Sequence, residues 1–159
     1  MAGEGVEQGQ PWGLQVSRQQ PARPRFPDWP ERLAAIVEER RETPFYYGQR
    51  DCGAFASDVA LALTGEDPAA WLRGRYEDED TLDAILAERG GFEAAVDQTM
   101  ADYGSPECPP AFAARGDWAL VEVGNVTALG VVLDDRIAVT GLDGLRFIPL
   151  RYARRTWAI

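Results

Sequence analysis

At Gly116 the chain changes its periodicity, and that change limits the folds open to it more than anything else in the sequence. Residues 117–123, 128–133, 136–139 and 145–150 follow the two-residue period and β-branched enrichment of strands. Gly124-Asn125, Asp134-Asp135 and Asp143-Gly144 separate them as turn signals, so these runs predict an antiparallel meander. Residues 155–159 predict a fifth strand with Trp157 facing inward. Before Gly116 the spacing is helical. Asp28 is the expected N-cap of a first helix, with Pro30 in its first turn, Leu33, Ile36 and Val37 on one face, and Thr43-Pro44 as its stop. A second helix begins at Cys52, with Phe55, Val59, Ala62 and Leu63 as its apolar stripe and Thr64-Gly65 as its end. Residues 68–72, 80–88 and 92–102 predict shorter helices. Helices followed by a sheet make an α+β layout, with N-terminal helices, including a central cysteine-bearing one, packed on a C-terminal antiparallel sheet.

The length of 159 residues and a hydrophobic content of 45% suit one core, which we place over residues 28–159. Residues 1–27 are rich in Gly, Gln and Pro and predict an extended or disordered arm, on which Trp12, Leu14, Val16 and Phe26 are candidate anchors for a partner. A net charge of −10 argues against binding a nucleic-acid backbone. No apolar run approaches the roughly 20 residues of a membrane span, and no signal peptide is evident, so synthesis in the cytoplasm is expected.

The two cysteines, Cys52 and Cys108, stand outside any metal-ligand spacing, so neither a metal nor another cofactor is expected. The acidic run from Glu77 to Asp80 reads as a solvated turn entering a helix rather than as a cation site. Cys52 is the candidate catalytic residue. At the first turn of a helix the free N–H groups and the helix dipole lower a thiol's pKa. Such a nucleophile normally works with a histidine, and the chain has none. The competing reading makes Cys52 a small buried hydrophobe facing the sheet under Trp118 or Val131.

Thr43-Pro44-Phe45-Tyr46-Tyr47-Gly48, Asp51-Cys52-Gly53-Ala54-Phe55 and Gly116-Asp117-Trp118-Ala119-Leu120 together resemble the NlpC/P60 branch of the papain-like cysteine peptidases. In that family a T-P-Y-x-W-G loop precedes D-C-S-G-F, and an H-V-G-I strand bearing the general base follows a G-D strand. Ala128-Leu129-Gly130-Val131 matches that later strand, which puts Ala128 where the histidine would be. Phe45 stands at the active-site tyrosine, and Thr140 lies near the position of the residue that orients the histidine. By this resemblance Phe45, Tyr46, Tyr47, Asp51, Trp118 and Thr140 line the cleft.

The chain is similar, more narrowly, to small NlpC/P60-like domains of unassigned function found among phage and prophage tail genes. The resemblance implies an inactive peptidase fold in the virion tail, docked to tail-tip, hub or distal tail proteins. The alternative it leaves open is an active peptidoglycan endopeptidase or amidase, with Cys52 as nucleophile and peptidoglycan as the partner. A former active-site cleft that binds a muropeptide without cutting it is a third reading.

Overall fold

The computed structural model describes residues 18–21 and 23–159. Four helices, α1 (Trp29–Arg40), α2 (Cys52–Thr64), α3 (Glu79–Ala87) and α4 (Phe92–Tyr103), precede the sheet. Its strands are β1 (Glu107–Cys108), β2 (Trp118–Val123), β3 (Val126–Val132), β4 (Arg136–Gly141), β5 (Gly144–Pro149) and β6 (Ala153–Trp157). The order is β1-β6-β2-β3-β4-β5, with every neighbouring pair antiparallel. The α+β layout predicted from the change of period is therefore present. No helix among the described residues is long and apolar enough to cross a membrane.

Helix α2 is the centre of packing. Phe55, Val59 and Leu63 are fully buried on it, each contributing on the order of 1.5–3 kcal/mol by leaving water. They meet Trp118, Leu120, Leu129 and Val131 of the sheet, with Leu33 of α1 and Met100 of α4 in the same cluster. The Trp118 indole N–H donates to the Ala56 carbonyl at 2.9 Å, so the largest buried ring is also satisfied. Gly65 ends α2 at φ +81, a conformation that favours glycine; a Cβ there would come 2.9 Å from the Phe26 ring.

Three local expectations are corrected. Asp28 occupies the N-cap position of α1 without capping it, because its carboxylate accepts instead from Arg32 Nε at 2.8 Å. Residues 68–72 form turns rather than a helix. The backbone closes three-residue turns there, Ala70 N–H to the Asp67 carbonyl at 3.4 Å and Leu72 N–H to the Ala69 carbonyl at 3.0 Å, and Gly74 at φ +74 ends the run before an α-helical ladder is established. Strand β3 also starts at Val126, two residues before the predicted run, and closes on Val123 in a two-residue turn with Gly124 at φ +60.

Candidate functional site

Asp51 builds the start of α2. Its backbone is extended, and its Oδ1 accepts the Ala54 N–H at 2.8 Å as an N-cap. Oδ2 accepts the Gly48 N–H at 2.7 Å and the Tyr76 hydroxyl at 2.5 Å. Three donors thus surround a carboxylate only 3% exposed. Gly48 is required here, since at φ +83 any Cβ would meet the Tyr76 carbonyl oxygen at 2.5 Å. Burial first, and then the bond to Asp51, push the Tyr76 phenol well above its ordinary pKa, so it stays a donor.

Cys52 follows as the first residue of α2, half-buried and packed against the helical core cluster. Burial pushes its thiol above the ordinary value, and the Asp51 charge adds to the rise. Backbone N–H groups, that of Leu129 foremost, act in the lowering direction without reversing it. The helix N-terminus is present, but desolvation outweighs it. Among the described residues no side-chain carboxylate or amide is hydrogen-bonded to Cys52.

The strand opposite Cys52 is β3, and its register departs from the sequence alignment by one residue. Leu129 and Val131 belong to the cluster under α2, whereas Ala128 packs with Val121 and Val132 on the far face of the sheet. Alternation along a strand turns neighbouring side chains to opposite faces, so Leu129, and not Ala128, faces the cysteine's helix. Motif matching missed this because A-L-G-V aligns by composition, whereas the face is set by pairing with Leu120 and Val121.

The other expected cleft residues divide. Thr140 reaches the helix start, its hydroxyl donating to the Asp51 carbonyl at 3.5 Å. Phe45 and Tyr47 meet edge to face with ring centroids 4.8 Å apart, and Tyr46 is 56% exposed. Trp118 is 2% exposed and serves as core. A pocket of about 60 Å3 lies against the first turn of α2, lined by Gly48, Gly53, Trp71, Tyr76, Phe92 and Leu129 among others. That space suits a few water molecules or a small apolar group.

Asp117, of the Gly-Asp pair that opens the sheet, is a second buried centre that sequence reasoning did not assign. It accepts Arg18 Nη2 at 2.8 Å and Arg25 Nη2 at 3.4 Å, with a further bond from Arg18 Nη1. The N–H groups of Ala114 and Ile159 complete its shell at 2.8 and 3.2 Å. The bond to Asp117 raises the pKa of Arg18, whereas burial lowers that of Arg25. Arg18, Arg23 and Arg25 cluster ahead of Trp29, but nothing in the sequence links that cluster to Asp117.

Phe26, expected to meet a partner, lies on its own domain: its N–H donates to the Leu63 carbonyl at 2.8 Å and Arg32 stacks on its ring. Trp12, Leu14 and Val16 fall outside the described residues.

A family model described as Domain of unknown function (DUF6950) matches residues 24–159. No curated protein and no solved structure matches the chain.

Proposed function

We propose that this chain, which belongs to the DUF6950 family, is a non-catalytic structural component of a bacteriophage or phage-like tail tip. Its fold is read as NlpC/P60-like, and its partners as tail-tip, hub or distal tail proteins within the virion tail. The observation that carries the inactive reading is the surroundings of Cys52. Its thiol is pushed up by burial and faces the aliphatic strand of Leu129, and the adjacent carboxylate is occupied by three donors. Losing one member of a nucleophile–base unit costs several orders of magnitude in rate. Here the base is missing, and the nucleophile is held in its unreactive form.

The assembly part of the proposal rests on the resemblance to tail-associated domains, and the net charge of −10 fits docking to a basic partner surface. Co-expression with the tail-tip, hub and distal tail proteins of one phage, followed by size exclusion, is expected to give a stoichiometric complex. Separate migration from all of them would remove the structural role. In parallel, purified peptidoglycan should release no fragments on incubation with the protein. Release that disappears in Cys52→Ala would instead establish the peptidase.

A further inference from the structure

The pocket at the first turn of α2 contains two hydroxyl groups with hydrogen-bonding capacity left over. Ser57 of α2 is 2% exposed and lines it, and among the described residues its hydroxyl has no hydrogen-bond partner. Thr99 lines it from α4, buried as well; its hydroxyl accepts the Trp71 indole N–H at 3.1 Å, which leaves its own proton to give. A buried hydroxyl without a partner is unfavourable, so a polar atom belongs beside Ser57.

The other polar side chains at the pocket are already engaged. Tyr76 donates to Asp51, and the Arg73 guanidinium is held by Asp58 and Asp67. No charge is left there for an ion, so the occupant is neutral. The rest of the wall is apolar: Ala54, Ala95, Val96 and Leu129 in its buried part, Trp71 and Phe92 in its half-buried part. Water alone fits such a wall poorly, because each molecule takes ~30 Å3 and needs about two to four polar partners. The volume of about 60 Å3 has room for a pair of waters, with the Ser57 and Thr99 hydroxyls as the side-chain groups to hold them. A ring is too large to enter whole, since benzene occupies a cavity of ~150 Å3.

We propose that this pocket binds a small neutral carbonyl group on a short aliphatic body. The carbonyl oxygen has two lone pairs and accepts from Ser57 and Thr99, while the carbons rest on Ala54, Ala95 and Leu129. The site is separate from the cleft that the peptidase resemblance predicts. Of the residues expected to line that cleft, Trp118 alone borders this pocket, and Cys52 does not. The inference is therefore independent of the tail-tip reading and of whether Cys52 is catalytic.

The test titrates acetone and acetate, alike in size and shape but different in charge, into the full-length chain and follows its N–H resonances by two-dimensional NMR. Acetone is expected to shift the Trp71 indole and the Ser57 and Thr99 amides saturably, with a Kd on the order of 10 mM because so few atoms make the contact. Acetate should bind at least about tenfold more weakly. Ser57→Ala should weaken acetone about fivefold, as one neutral hydrogen bond is lost. Ala95→Val, which fills the pocket with added carbons, should abolish its binding. Gln98→Ala, on the exposed side of α4, should leave it unchanged. The same spectra show whether each variant is folded, and if one is not, the acetone–acetate contrast in the wild type decides. No saturable shift with acetone, acetate binding as tightly as acetone, or an affinity unchanged in folded Ser57→Ala would each overturn the proposal. So would binding of xenon without binding of acetone, which would mark a dry apolar cavity in which the hydroxyls recognise nothing.

Discussion

Asp51 and Asp117 are both buried carboxylates, and the fold stabilises them in opposite ways. Asp51 is surrounded by its own neighbourhood: backbone N–H groups three residues away on either side, and one phenol. Asp117 is held by guanidinium groups 99 and 92 residues away in sequence. The first carboxylate starts a helix; the second fastens the early part of the chain to the sheet. Partial charges from N–H and O–H dipoles suffice for a group at a helix N-terminus, where the dipole adds to them. Asp117 has full counter-charges instead, so its removal leaves cations behind as well as unpaired donors.

That difference predicts unequal losses. Asp117→Ala should cost the most. Breaking a buried pair costs about 3–5 kcal/mol, and because Arg18 and Arg25 keep 21% and 13% side-chain exposure the lower end, about 3 kcal/mol, is expected. Urea denaturation measures it. A loss below about 1 kcal/mol would mean that the arginines turn out to water freely, and the arm would then not be fastened through this contact.

Asp51→Ala should cost about 2 kcal/mol, combining a lost N-cap with unpaired Gly48 and Tyr76 donors. Asp51→Asn retains an acceptor for the cap and should lose about half of that. If Asn proves as damaging as Ala, the negative charge rather than the donor count matters at Asp51, and the contrast with Asp117 collapses.

The same contrast explains what could be read from the sequence. Asp51 was legible as part of a motif because every backbone donor it uses lies within three residues, and the change of period announced helices before sheet. The acidic run was legible as a turn entering a helix, but its cap was not: Asp78 accepts the Thr81 N–H at 2.8 Å and the helix starts at Glu79, one residue before the predicted start. Asp117 was visible as a motif letter, but its partners Arg18 and Arg25 were not, since nothing local links residues so far apart. The position facing Cys52 was misplaced for a related reason. Whether Ala128 or Leu129 meets α2 depends on pairing with β2, and a shift of one residue exchanges the faces. Asp28 shows the limit of local rules as well, because Arg32 takes the carboxylate that capping preference assigns to the helix.

The smallest expected effect bears most directly on chemistry. Cys52→Ala removes a single small group beside a core cluster and should cost about 1 kcal/mol at neutral pH. Its value lies in the pH dependence. A thiol whose folded pKa is raised binds its proton more tightly in the native state. The stability this supplies is fully present below the unfolded thiol pKa of about 8.5 and is lost as pH rises through the folded value. The stability of the wild-type protein relative to Cys52→Ala should therefore fall as pH is raised above that point. Cys108, also raised by burial, is common to both proteins and cancels. Denaturation curves at a series of alkaline pH values provide the comparison. The opposite trend, a relative gain for the wild type as pH rises towards that value from below, would indicate a thiolate stabilised by the α2 N-terminus. Burial would then have failed to keep the thiol protonated, and the search for a base around Leu129 would have to be reopened.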